Sequence, residues 1–189
     1  MRYLLFYKPF QVMPSFTDPE GRKTLADFID VKGVYAAGRL DFDSEGLLLL
    51  TDDGELIHRL TDPKFDHPKT YFMQVEGAAT EEAVRKLREG VVLRGEKTKP
   101  VEAEIVTDPP VPFRKVRGYH PTTWLKVMLR EGRKRQLRRM TAAVGLPCLR
   151  LVRVGIGPLT LGDLQPGQWR EITEDEQRRL MAALKMERG

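Results

Sequence analysis

Gly38-Arg39-Leu40-Asp41-Phe42-Asp43-Ser44-Glu45-Gly46 runs directly into Leu47-Leu48-Leu49-Leu50-Thr51, and Asp52-Asp53-Gly54-Glu55 then closes the stretch with a turn signal. An acid beside an arginine is thus set at the mouth of a continuous apolar run, which reads as buried backbone. The glycines on either side let a bulky ligand come close. A carboxylate held this way is a candidate nucleophile, because partial burial and a neighbouring cation keep its charge pointing in one direction. Read by itself, Asp41-Phe42-Asp43-Ser44 equally describes an acidic turn at the end of a strand, and the spacing leaves open a two-carboxylate hydrolase using Asp41 and Asp43. In an extended segment those two side chains share a face, and their proximity raises one pKa.

Outward from this stretch the pattern is mixed. Tyr3-Leu4-Leu5-Phe6-Tyr7 reads as a strand stopped by Pro9, Thr24 to Ile29 as a short helix, and Val34 to Ala37 as extended backbone before the Gly38 turn. Leu56 to Leu60 is helical and Tyr71 to Glu76 strand-like. Thr80 caps a helix that runs to Glu89 and closes on Gly90, with Glu81 and Glu82 in its first turn. Residues 94–122 hold five prolines and predict strands broken by an exposed loop. From Trp124 to Arg130 the alternation is clean, with Leu125, Val127 and Leu129 on one face and Lys126 and Arg130 on the other. Residues 133–144 read as a helix ended by Gly145 and Pro147. Its buried stripe is Leu137, Thr141 and Val144, with Met140 at the edge and Arg135 and Arg139 opposite. Arg138 falls at the boundary between core and solvent, where it can reach a partly buried carboxylate. Leu149 to Gly155 is a strand, and Thr173-Glu174-Asp175-Glu176 is a capping box opening a terminal helix with Leu180 and Leu184 inward. Strands and helices do not alternate regularly, which predicts an α+β fold with a mainly antiparallel sheet.

Charge is distributed unevenly. The chain carries a net +5, yet residues 113–153 hold 12 Lys/Arg against the single acid Glu131, while residues 1–67 hold 8 Lys/Arg against 12 Asp/Glu. Solvated helix faces mix signs, so a one-sign block of this density points to a polyanionic partner, and a nucleic acid is the first choice. Within the loop, Arg114, Lys115, Arg117, Tyr119 and His120 combine cations with stackable rings, the composition that contacts with single-stranded RNA favour. That block would also suit a non-catalytic RNA-binding or ribosome-assembly protein, which needs no special role for Asp41. The lone Cys148 excludes an internal disulfide framework, and His58, His67 and His120 show no metal-ligand spacing. Arg2, Lys8 and Pro9 interrupt the N-terminus, and no apolar run approaches a membrane span. The expectation is a soluble, cytoplasmic, metal-free protein, monomeric by default, with no membrane partner.

Four segments, in order, resemble the pseudouridine synthases of the RsuA/RluE type: GRLDFDSEGLLLLTDDGEL at 38–56, KTYFMQVEG at 69–77, EGRKRQLRRMTAAVGLPCLRLVRVGIGPLTL at 131–161 and PGQWRE at 166–171, with YLLFYKPFQV opening the chain. The resemblance covers nearly the whole sequence. It implies the pseudouridine synthase fold, a mixed, mainly antiparallel sheet flanked by helices and loops. It also implies one catalytic domain over 1–189, with subdomains at 1–66 and 67–189 and no S4 RNA-binding domain. The implied activity is isomerisation of a uridine of 23S ribosomal RNA to pseudouridine, without a cofactor. Carried over residue by residue, it makes Asp41 the catalytic aspartate, acting as nucleophile or as base. Tyr71 becomes the ring that stacks on uracil, and Arg138 the cation that pairs with the aspartate. Asp43 falls at a position the family does not require. Arg39 is expected to orient RNA or the acid. Arg114, Lys115, Arg117, Arg133, Lys134, Arg135 and Arg139 are expected to contact RNA.

Overall fold

The computed structural model describes residues 1–118 and 120–186 of the chain; Tyr119, one of the expected stacking rings, lies outside the described residues. The polypeptide forms two compact units, Met1–His67 with Arg153–Gly189, and Pro68–Val152. The first unit is therefore built from two separated stretches, where the sequence suggests a single cut near residue 66.

The chain enters the first unit with β1 (Tyr3–Lys8), β2 (Tyr35–Ala36), β3 (Glu45–Thr51) and α1 (Gly54–Thr61). The second unit comprises β4 (Lys69–Glu76), α2 (Glu81–Glu89), β5 (Val92–Leu93), β6 (Glu96–Lys97), β7 (Glu102–Val106), β8 (Thr122–Leu129) and α3 (Gln136–Ala143). The chain passes from the second unit to the first within β9 (Cys148–Ile156), and β10 (Leu159–Thr160), β11 (Trp169–Glu171) and α4 (Glu174–Ala183) complete the first. No helix of the described residues is long and apolar enough to cross a membrane.

In the first unit the strand order is β11-β1-β3-β9, with β2 added to β3 and β10 to β9. β1 and β3 pair antiparallel from Tyr3↔Thr51 to Lys8↔Gly46. Leu47, Leu48, Leu49 and Leu50 are all fully buried, and so are Leu4, Leu5 and Phe6 opposite them. A strand covered on both faces needs no polar alternation, which is why this segment is a continuous apolar run. Each buried leucine contributes about 2 kcal/mol of transfer free energy. On one face Leu4, Phe6, Leu48 and Leu50 pack with Leu25, Ile29, Val34 and Leu40. Thr24 caps only a single 3-10 turn, Leu25–Asp27, shorter than the helix the sequence suggests. α4 opens on the expected capping box, Thr173 with Glu176, and buries Leu180 and Leu184.

The second unit orders its strands β9-β4-β8-β7, with a separate β5-β6 hairpin. β4 and β8 are antiparallel over their full lengths, and Tyr71 stands opposite Val127. Leu125, Val127 and Leu129 enter the core while Lys126 stays exposed, as the alternation predicts. Thr80 caps α2 by accepting from the Ala83 N–H, and Gly90 ends it.

Two local expectations need correcting. α3 begins at Gln136 rather than at 133, because Arg135 adopts left-handed backbone (φ 52°) just before it. Met140, expected at the edge of the helix stripe, is fully buried. It packs in the same core as Leu137, Tyr71 and Leu129, while Val144 is only partly covered.

Candidate active site

Asp41 belongs to the first unit, and the local chain explains how it is held. Gly38 (φ 95°) turns the backbone away from β2, and the neighbouring Ala37 N–H donates to the Leu49 carbonyl at 2.8 Å. Leu40 then drops into the core, 4 % exposed, and anchors the residue next to it. The Ser44 N–H donates back to the Asp41 carbonyl at 2.9 Å. Residues 41–44 therefore form a tight turn, not the extended segment in which Asp41 and Asp43 would share a face. The turn, and not strand alternation, sets the positions of the two carboxylates.

The turn is gripped from both sides by buried cations. Lys8, at the end of β1, is fully buried. Its Nζ donates to the carbonyls of Pro9 (2.9 Å), Val12 (2.8 Å) and Phe42 (3.5 Å). The Phe42 carbonyl also accepts from the Gln11 N–H at 2.8 Å. Arg153 in β9 is 3 % exposed, and donates from Nε to the Leu47 carbonyl at 2.8 Å and from Nη1 to the Arg39 carbonyl at 3.4 Å. The carbonyls on the two sides of Asp41, at 39 and 42, thus each accept from a buried cationic side chain. The Arg39 guanidinium is on an exposed residue, so it is the Arg39 backbone that is tied down. Backbone fixed this way holds a half-buried carboxylate in one position.

Electrostatics follow from the burial. Desolvation pulls the Lys8 ammonium down to about 8, opposed by attraction to Glu45, Asp43 and Asp41 and reinforced by repulsion from Arg153. Three carboxylates and one further cation thus act on this buried lysine. Glu45, at the start of β3, is itself 95 % covered, with an exposure of 5 %.

The second unit carries Tyr71 and Arg138. Tyr71 is 8 % exposed in β4, packed with Val127, Leu129, Leu137 and Met140. Arg138 follows Leu137 on α3 and is half-buried, as the helical wheel predicts for a boundary position. One core therefore sets both the tyrosine and the helix that bears the arginine. The start of α3 is organised by buried Gln136, whose Oε1 accepts from the Arg133 N–H at 3.0 Å and whose Nε2 donates to Glu131 at 2.5 Å.

The expected RNA contacts divide by their surroundings. Lys115, Arg117, Lys134 and Arg135 are on exposed residues, and Arg114 and Arg139 are half-buried. Arg133 is engaged inside the unit: Nη2 donates to the Leu93 carbonyl at 2.9 Å and Nη1 to the Glu96 carbonyl at 3.3 Å, holding the β5-β6 hairpin. Sequence reasoning missed Lys8 and Arg153 as site residues. The available signal was a lysine at the end of an apolar strand and an arginine set within the apolar stretch Leu151-Val152-Arg153-Val154. Neither pattern distinguishes a buried cation from a solvated one.

Among the described residues, no group of three His, Cys, Asp or Glu is arranged to hold a metal ion.

The chain matches the family model described as RNA pseudouridylate synthase over residues 2–143, and it belongs to that family of RNA-modifying enzymes. It is 55 % identical over 176 residues to the ribosomal large subunit pseudouridine synthase E of Vibrio vulnificus, covering 91 % of this chain and 75 % of the relative. It is 51 % identical over 177 residues to the protein of the same name from Xanthomonas campestris pv. campestris, covering 88 % and 93 %. Its fold is similar to the crystal structure of a pseudouridylate synthase with a TM-score of 0.81 and 34 % identity, over 95 % of this chain and 73 % of that one.

Proposed function

We propose that this enzyme converts a specific uridine of large-subunit (23S) ribosomal RNA to pseudouridine, with Asp41 as its essential carboxylate. The observation that carries the reading is the clamped turn, in which buried Lys8 and Arg153 hold the carbonyls at 42 and 39 and so fix the acid between them. The names of the relatives, ribosomal large subunit pseudouridine synthases, support the choice of RNA.

The reaction is an isomerisation. The bond from C1′ to N1 breaks, a bond from C1′ to C5 forms, a proton leaves C5 and N1 ends protonated. Atoms and electrons balance with no oxidant, reductant or cofactor. Asp41 acts at the ribose, as nucleophile on C1′ or as base, and Tyr71 stacks on the detached uracil so that it turns without escaping. Arg138 supplies a charged group to the same reaction. Lys115, Arg117, Lys134 and Arg135 contribute phosphate contacts, and these offset the cost of extruding the nucleotide from its stack. The enzyme works in the cytoplasm and as a monomer, and sedimentation of the purified protein checks the oligomeric state.

The test compares wild type with Asp41→Ala on unmodified 23S ribosomal RNA, mapping pseudouridine at nucleotide resolution and measuring RNA affinity in parallel. A single site made by wild type, absent with a folded Asp41→Ala protein of near-normal affinity, is expected. Turnover by that variant would remove Asp41 from the mechanism. RNA binding without a product from either protein would favour a binding role or a substrate available only in an assembling particle.

A further inference from the structure

Phe113 is 93 % exposed, the most solvent-exposed large apolar side chain of the described residues. Single exposed hydrophobic residues are common and need no explanation alone. This one is different in how it is held. Arg150 in β9 is 2 % exposed, donates from Nη1 to the Pro112 carbonyl at 3.0 Å, and lies with its guanidinium 5.5 Å from the centre of the Trp124 ring. A buried cation stacked on a tryptophan therefore fastens the residue immediately before Phe113. Pro109, Pro110 and Pro112 stiffen the approach, and the Val111 N–H folds back on the Pro109 carbonyl at 2.8 Å. The ring is displayed from a fixed base, so a ligand that covers it loses little chain entropy on binding.

The surroundings select the ligand. Residues 109–121 contain no acid, and Arg114, Lys115 and Arg117 follow the ring directly. A protein-docking surface would set an exposed phenylalanine among further apolar groups and would exclude lysine from its centre. A ring followed in the chain by three cations within four residues, with no acid nearby in sequence, instead matches an unpaired nucleotide, whose base offers a flat face and whose phosphates offer charge. We infer that Phe113 is a stacking platform for an unpaired base of the RNA substrate, with Lys115 and Arg117 on the adjoining phosphates. The inference rests on the RNA-modifying reading above only in taking RNA as the partner.

The experiment measures affinity for a short single-stranded oligouridylate, and for its duplex with oligoadenylate, using wild type and the variants Phe113→Ala, Phe113→Leu and Phe113→Trp. All three change a surface position and leave the core intact. Stacking predicts that Ala and Leu each weaken single-strand binding by between about 5-fold and 100-fold. It also predicts that Trp restores binding, and that the single strand but not the duplex quenches the added tryptophan emission. Wild-type affinity in Phe113→Ala or Phe113→Leu, or an unquenched Phe113→Trp, would overturn the inference. So would loss of self-association in Phe113→Ala with RNA affinity unchanged, which would identify a protein contact. The binding readout needs no turnover. A protein that fails to make pseudouridine yet shows these effects loses the catalytic reading alone, and an active synthase indifferent to Phe113 loses only the stacking platform.

Discussion

Gly46 lies so close to the main chain of Arg153 that a Cβ built on it would stand 2.1 Å from the Arg153 carbonyl oxygen and 2.8 Å from its nitrogen. The residue also sits at φ 109°, a conformation side chains rarely adopt. Both obstacles are backbone, so neither can swing aside. Gly46→Ala is therefore expected to destabilise the protein by at least about 3 kcal/mol. Urea denaturation should show a lower midpoint with an unchanged slope, and a midpoint equal to wild type would mean that the two strands can separate at no cost.

Lys8 gives a pH signature. Its ammonium is pulled from 10.5 to about 8 by burial, with the neighbouring acids opposing. Between those values the unfolded chain holds a proton that the folded chain has lost, so this site adds stability as pH rises through the window. Below about 8 the cost of the buried charge is present in full. Relative to Lys8→Met, wild type should gain on the order of 3 kcal/mol across the window. Denaturation midpoints of the two proteins that run parallel from pH 8 to 10.5 would contradict the assignment.

Arg138 in α3 and Arg135 just before it separate two roles. Arg138 is half-buried inside α3, whereas Arg135 is exposed and precedes it. Arg138→Ala should lower kcat by about 100-fold or more, the size of a lost charged contact in the reaction. Arg135→Ala should cost less than about 10-fold, expressed mainly in KM and shrinking as salt rises, because a variant with one phosphate contact fewer loses affinity less steeply with salt. Equal, modest and salt-sensitive losses would reduce Arg138 to a phosphate contact.

The last helix carries an acid-sensitive tie. Arg170 in β11 donates to both carboxylate oxygens of Glu176, at 2.7 and 2.9 Å, and the Thr173 N–H adds a third bond. The Arg170 hydrogen bonds, ahead of the helix cap, hold the Glu176 carboxyl at about 2. A depressed carboxyl contributes stability above its ordinary value near 4.5 and loses it as pH falls through 2. Discounted for the partly exposed arginine, Glu176→Gln should cost about 1–2 kcal/mol at neutral pH. The difference from wild type should vanish as pH approaches 2, and thermal unfolding over this range would show it.

Much of the fold was legible because its signals are local. The Thr80 cap and Gly90 stop of α2, the capping box of α4 and the alternation of β8 each depend on residues within a few positions of one another. The start of α3 was misplaced because nothing nearby announces left-handed backbone at Arg135; the turn is organised by the buried contacts of Gln136 with Glu131 and with the Arg133 amide. Met140 was underestimated because the helix is covered from more than one direction, and a wheel of a single helix cannot register that.

By itself the sequence determined the mixed α and β character and the basic stretch at 113–153, since these reside in residue type and short spacing, and its resemblance to a family of RNA-modifying enzymes, not the spacing, selected Asp41 over Asp43 as the acid to test. Tertiary structure alone decided that residues 41–44 form a turn, that Lys8 and Arg153 are buried, and that their donors grip the carbonyls around Asp41. Those contacts join residues as far apart as 39 and 153, and a hydrogen bond across that separation exists only once the strands between them have paired.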